Sequence, residues 1–486
     1  MNRFIEPQIK DLVGLALANG GEIRYIEPFK QDKFFPSTCN PSIVYDEQKD
    51  KFYMTARKVS YVLHASTTDN NWGGSWGRLI YSMPQGRTGK LETRNLLCEM
   101  TDPMKDNFQW QTLDNLPHRP QWTFTGLEDM RLSIWNDKLY ATPVVRDDNN
   151  TGIGRCHALE YKNGHICSDV KLATIDNEYC VKNIMPVEDR PFTYVYSINP
   201  VTVVNYNCNG DITFVNKQKF ADVKQWRDFK SMIRGSSQLI KNHEGNYWCI
   251  VHSCEMYYTP NGRKDARYLH CIVELSPDFM IKRVSPMFSF ANFPVEFTCG
   301  MTRKGNDIYI TFALQDNVSY VLKTSSSFIE QLLCNPPTRG EQIVRGVFWM
   351  STEDAKKHMY ELFDKHDFSG AYTWACYLTD HCKDSYESRF MMARCIADIG
   401  DRDLMERSLW SRVIENYPDM PEGLMGMAMY FYCRNDYALA YLFGQRCMMN
   451  MRNYSGTYYN RDMIERCWNK IRQNNGDGQG IWKKAL

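Results

Sequence analysis

From about residue 36 to residue 325, apolar residues come in short alternating runs broken by Gly, Asn and Asp, a pattern that predicts strands joined by tight turns. Five stretches share one order: polar residues, a strand, a turn, and a second strand ending in polar residues. They are "CNPSIVYDEQKDKFYMTARKVSY", "GLEDMRLSIWNDKLYATPVV", "VKNIMPVEDRPFTYVYSINP", "RGSSQLIKNHEGNYWCIVHSCE" and "VEFTCGMTRKGNDIYITFALQDN". Their polar starts fall at Asn40, Glu128, Lys182, Arg234 and Glu296, so the steps are 88, 54, 52 and 62 residues. Such steps are too uneven for a strict array and suit blades that carry insertions. The expected fold is a five-bladed β-propeller, because each small sheet can bury its faces only against its neighbours and radial repetition leaves few open edges. An irregular β-sandwich with charged turns is the competing reading.

After "TSSSFIEQLLCNPPTRGEQ", Thr324 to Gln342, the apolar period becomes helical, and the Pro336-Pro337 pair marks a boundary. Asp367, Asp401 and Asp436 lie in similar turns 34 and 35 residues apart, and Ala393 and Ala428, also 35 apart, hold matching places in the helices before them. This is the spacing of tetratricopeptide repeats, paired helices stacked into a short solenoid. The expected organisation is a propeller over 1–340, with an N-terminal extension, and a small α-helical solenoid over 341–486. An unrelated helical bundle is the plainer alternative.

Composition narrows the class without choosing a function. The chain has 43% apolar and 24% charged residues, ordinary for a soluble globular protein, whereas 29 Tyr and 12 Trp suit strands and flat sugar-binding surfaces. A net charge of +1 argues against a large nonspecific nucleic-acid surface. The 17 cysteines include no CxxC pair, which points to reduced thiols in a cytoplasmic setting rather than to zinc or a disulfide framework. The first residues do not read as a signal peptide, and no segment has the apolar length of a membrane span.

The chemistry concentrates at the blade starts. "GLEDMRLSIWNDKLYAT" sets Glu128, Asp129 and Arg131 before a hairpin turning at Asn136-Asp137-Lys138. In a propeller these side chains stand near the axis. Glycosyl chemistry needs carboxylates there, one to move a proton and one to stabilise an oxocarbenium-like state. Arg131 is expected to pair with one carboxylate and hold it ionised, leaving the other free to carry a proton. A structural Arg–carboxylate brace explains the stretch alone equally well. The other starts add Lys182 beside Asn183, suited to phosphate or diphosphate, and Arg234 followed by Gly235 and two hydroxyls, again suited to an anion. His252 and Glu255 stand at a strand end in "IVHSCEMYY", and Asp316 in "ALQDN". No DxD-like metal motif stands out, and "RDDNN" at Asp147 and Asp148 reads as a solvated turn.

"NPSI" with the later Arg57, "GLEDMRL", "KNIMPVE", "RGSSQLI", "VHSCE" and "ALQDN" together resemble, in order, the motifs of five-bladed propellers related to mannoside phosphorylases, a group with a mannosyltransferase branch. Viral and bacterial propellers with "EDVRL"-like and "VHE" motifs, some with a tetratricopeptide tail, are closer still. The tail separately resembles repeats attached to glycosyltransferases. The resemblance implies that Asp129 takes the place of the catalytic acid and that Asn40 and Arg57 hold the sugar. By the same resemblance Lys182 and Asn183 meet phosphate, Arg234 and His252 make further anion or sugar contacts, and Asp316 grips sugar hydroxyls. Met130 stands where the phosphorylases have Pro, and Lys182 where they commonly have Arg, which shifts expectation away from free orthophosphate as co-substrate.

Three functions follow. The first is a glycosyltransferase that uses a nucleotide sugar, with Asp129 as acid/base and the tail positioning a glycan, a protein or a modified nucleic-acid acceptor. The second is a glycoside phosphorylase or hydrolase working in the same pocket, for which Glu128, Glu255, Glu296 and Asp316 all qualify as the second carboxylate. The third is a noncatalytic carbohydrate-binding scaffold.

Overall fold

The computed structural model describes residues 7–28, 32–66, 79–86, 89–116, 122–227, 232–258, 264–334, 349–382, 385–451 and 461–475. The chain divides into two compact units, Met1–Ala65 with Gly77–Asp354, and Ser66–Trp76 with Ala355–Leu486. The Pro336-Pro337 pair and residues 340–341 lie outside the described residues.

The first unit is a five-bladed β-propeller. From inner to outer strand, its first blade is Ser37–Asp46, Lys51–Val59, Leu91–Met100 and Gln111–Thr112, and its second is Leu127–Trp135, Lys138–Val145, Arg155–Lys162 and His165–Lys171. The third is Met185–Pro186, Thr193–Ile198, Val201–Tyr206 and Ile212–Lys217, and the fourth is Ile233–Gly235, Tyr247–Tyr258, Lys264–Leu275 and Ile281–Val284. The fifth is Glu296–Lys304, Asp307–Leu314 and Val318–Ser325, with Glu22–Tyr25 as its outer strand, antiparallel to Val318–Ser325.

Blade-to-blade packing supplies the core. Trp135, Tyr140 and Val144 of the second blade pack with Tyr194, Val204 and Tyr206 of the third. Val195 and Val203 on the third blade's other face join Cys249, Val251 and Cys271 of the fourth. Burying one such large side chain stabilises the fold by roughly 1.5–3 kcal/mol, so no blade is expected to stand alone.

Turn chemistry fixes the registers. Asn136 and Asp137 both have positive φ (50° and 63°), and Trp135 pairs with Lys138. The turn is thus two residues long, one shorter than expected, and is the form whose twist matches the flanking strands. Two inner strands carry a bulge near the axis: Asn40 and Pro41 face the single residue Ala56, and Asp129 and Met130 face Pro143. The first residue of each bulge is left-handed, with φ 47° at Asn40 and 51° at Asp129. Asn and Asp tolerate that conformation better than other non-glycine residues.

The second unit is helical, with Phe368–His381, Tyr386–Ile399, Asp403–Asn416, Pro421–Cys433, Tyr437–Asn450 and Arg461–Asn475 in succession. Ala393 and Ala428 are fully buried. The repeating turn is offset by one residue from the aspartate alignment. His366, Asp401 and Asn435 are the left-handed residues, 35 and 34 apart. Asp367 and Asp436 then cap the next helix, accepting from the Gly370 and Leu439 N–H groups, whereas Arg402 holds that place in the middle repeat. No described helix is long and apolar enough to cross a membrane.

Candidate active site

The inner strands converge on a cavity of about 570 Å³ lined by Asn40, Arg57, Glu128, Asp129, Lys182, Asn183, Arg234, His252 and Asp316, together with an apolar wall. Four of these polar residues have positive φ: Asn40, Asp129, Asn183 (66°) and Asp316 (52°). They are four of the fifteen non-glycine residues with positive φ among the described residues, and all four are Asn or Asp, which adopt it at least cost.

Arg57 organises the acids. Its Nη1 donates to Asp129 Oδ1 at 2.9 Å, its Nη2 to Glu128 Oε1 at 3.1 Å, and its Nε to Thr93 Oγ1 at 3.0 Å. Asn40 Nδ2 donates to the same Asp129 oxygen at 2.7 Å, which leaves the buried Asn40 Oδ1 without a partner among the described residues. Burial pushes both carboxyls up. For Glu128 it wins over Arg57, and the neighbouring Asp129 adds to the rise. For Asp129 it is outweighed by Arg57, then Lys182, Arg131 and the Asn40 hydrogen bond, which hold this carboxyl below its ordinary range. One guanidinium thus holds a carboxylate beside a carboxyl that more readily keeps a proton. Asp316 is also pushed up by burial, although Arg57 and the Tyr61 hydroxyl, 2.8 Å from its Oδ2, oppose the rise.

Arg131 does not perform the pairing expected of it. Its three donors go to Ser236 O (2.7 Å), Asp129 O (2.8 Å) and Asn183 Oδ1 (3.0 Å), so it ties the second blade to the third and fourth through backbone and amide oxygens. Gly235 and the two serines are likewise structural rather than anion-binding. A Cβ on Gly235 would lie 2.3 Å from Asn183 O. Ser237 Oγ accepts from the Ile250 N–H at 2.9 Å, and Ser236 Oγ lies 2.7 Å from His252 Nδ1. Burial drives His252 well below its usual value and keeps it neutral, against Phe297 and Tyr268.

Lys182 and Arg234 line the cavity with exposed side chains, and neither has a hydrogen-bond or ion-pair partner among the described residues. Glu255 is absent from the lining, and its Oε1 accepts from Ser253 Oγ at 3.1 Å. Glu296 is excluded as a second carboxylate because it is fully buried in a clamp on the loop before it. It accepts from Ser289 Oγ at 3.0 Å and from the Ala291 and Phe293 N–H groups at 2.8 Å each. Asp147 is buried rather than solvated and accepts from the Gly126 N–H at 2.9 Å. Sequence reasoning missed the apolar wall, which includes Tyr61, Leu63, Leu79, Tyr81, Leu91 and Phe124. Only the general aromatic excess hinted at it.

No family model and no curated protein matches this chain. Among solved structures it is similar to a β-1,2-mannobiose phosphorylase from Listeria innocua (11% identity, 61% of this chain and 92% of that one, TM-score 0.40). It is also similar to a mannose phosphorylase from Leishmania mexicana in complex with phosphate (10% identity, 65% and 93%, TM-score 0.40). A third similar structure is a GDP-Man-dependent mannosyltransferase from the same organism (12% identity, 63% and 91%, TM-score 0.38).

Proposed function

We propose that this protein is a glycosyltransferase that moves a sugar from a nucleotide-activated donor to an acceptor hydroxyl in the axial cavity. The observation that carries this reading is the co-location of a carboxylate held below its ordinary range, Asp129 with Arg57, and two cations without partners among the described residues, Lys182 and Arg234. In the transfer, the bond from the anomeric carbon to the phosphate oxygen breaks and its electron pair leaves with the diphosphate. The acceptor oxygen bonds to the anomeric carbon, and its proton passes to the Asp129 carboxylate. A diphosphate departs as an anion, so it needs cations and no general acid. A carboxylate held below its usual range suits the base better than the acid, which revises the acid role implied by the family resemblance. Asn40, which lines the cavity and donates to Asp129, is assigned to hold that carboxylate in position. The helical unit is assigned to hold the acceptor molecule.

A phosphorylase is the second reading, favoured by two further carboxyls lining the same cavity, Glu128 and Asp316, which burial pushes up, the direction that suits a group giving a proton to a glycosidic oxygen while phosphate attacks. Turnover against nucleotide sugars and sugar 1-phosphates, with and without added acceptors, separates the two. Nucleotide release lost in Asp129→Asn supports the transferase, and orthophosphate release from a sugar 1-phosphate supports the phosphorylase. Sugar binding with no turnover under any condition would leave a binding scaffold.

A further inference from the structure

The cavity is polar on only part of its surface. Tyr61, Leu63, Leu79 and Leu91 belong to one continuous apolar cluster, against which Tyr81 and Phe124 pack, and all six line the cavity. The Tyr61 hydroxyl on this wall is spent on Asp316. The Tyr81 hydroxyl has no partner among the described residues. Tyr81 meets Tyr61 edge-on with ring centroids 5.1 Å apart, and the Arg146 guanidinium stacks on Phe124 at 4.3 Å. Such a wall offers ring faces and methyl groups and few donors. A second sugar would lay one face on a ring, but along the rest of the wall its hydroxyls would give up water for few partners. A flat ring would gain buried area and edge contacts.

We infer that the acceptor receiving the sugar carries a planar aromatic ring that seats on the Tyr61–Tyr81–Phe124 wall, so that the site is specific for an aryl-bearing alcohol rather than for a second carbohydrate. This rests on the glycosyl reading for its polar half. The wall sets selectivity, and the charged cluster sets the chemistry.

The test is binding to the full-length protein, measured by calorimetry, of methyl, octyl and 4-nitrophenyl mannosides, glucosides and galactosides, of a mannose disaccharide, and of 4-nitrophenol alone. Saturation-transfer NMR on the 4-nitrophenyl glycosides adds a map of which protons touch the protein. For at least one sugar, the 4-nitrophenyl glycoside is expected to bind about tenfold more tightly than the methyl glycoside, with the ring protons most strongly saturated. Tyr81→Ser and, independently, Leu79→Gln should remove that gain, so that each variant binds the methyl and 4-nitrophenyl glycosides alike. Equal binding of methyl and 4-nitrophenyl glycosides, or preference for the disaccharide or the octyl chain, overturns the inference and leaves the glycosyl reading standing. Binding of 4-nitrophenol with no gain from any sugar keeps the aromatic wall and overturns the glycosyl reading. Silence from every probe overturns both.

Discussion

Asn40 and Asp129 occupy the same bulge position in successive blades, both left-handed, and the amide of the first donates to the carboxylate of the second at 2.7 Å. The repeat itself therefore builds the contact: two copies of one backbone irregularity, turned about the axis, bring together an amide and a carboxylate 89 residues apart.

Replacing Asp129 with Asn removes the charge while keeping the shape and an oxygen for Arg57. Turnover should fall by about 10²–10⁴-fold, the usual contribution of a positioned acid–base group, while the melting temperature changes little. Steady-state kinetics and a thermal melt on one preparation check both halves.

Arg57→Met strands Glu128 and Asp129 in a buried cavity, at a cost of about 3–5 kcal/mol. The pH dependence has a definite sign. In the parent, Asp129 lies below its unfolded value, so its stabilising contribution is present above about pH 4 and is lost as pH falls through the folded value. Without Arg57 both carboxyls are raised, and the variant loses stability as pH rises. Denaturant titrations from pH 4 to pH 8 should show the gap between the two proteins widening with pH.

Lys182→Ala and Arg234→Ala should weaken binding of phosphate-bearing ligands without unfolding the protein, since neither side chain braces anything among the described residues. Orthophosphate or a nucleoside diphosphate should raise the parent's melting temperature and leave that of the double variant unmoved. KM for a phosphate-bearing donor should rise by about tenfold or more.

Arg131→Lys tests the bracing role. A lysine cannot reach Ser236 O, Asp129 O and Asn183 Oδ1 together, so about 2–4 kcal/mol of stability should be lost. Any residual activity should keep the parent's pH profile, because the Arg57 pair is untouched.

Asp11 caps the helix Leu12–Ala18 through the Gly14 N–H and also accepts from the Trp349 N–H. Burial, the largest influence, lifts its carboxyl to about 7. The folded chain holds this proton more tightly than the unfolded chain, so the contribution is complete below about pH 4 and declines to about pH 7, by on the order of 4 kcal/mol. Asp11→Asn keeps an acceptor oxygen for the cap and should flatten that part of the stability curve.

Much of this was readable in the chain because it is local. Strand alternation, Asn-Asp and Asn-Gly turns and polar strand starts are short-range signals, and they placed Asn40, Asp129, Asn183 and Asp316 around one cavity. What escaped is set by direction and distance. Nothing in the spacing distinguishes Arg131, two residues from Asp129, from Arg57, 72 residues away. Yet the bulge turns the nearer guanidinium onto backbone oxygens and leaves the carboxylates to the farther one. Glu296 looks like any strand-start acid until its clamp on Ser289–Phe293 is seen. The aromatic wall is assembled from separate strands and connections with no shared motif.

The Glu22–Tyr25 strand has a consequence for biosynthesis. It leaves the ribosome long before its partner, Val318–Ser325, exists. Until then the fifth sheet is unfinished and the ring stays open, so the axial cavity is among the last features to form. A truncation that removes those four residues should behave as an assembly defect, with a bare sheet edge where closure belongs and an exposed strand ready to recruit a neighbouring chain.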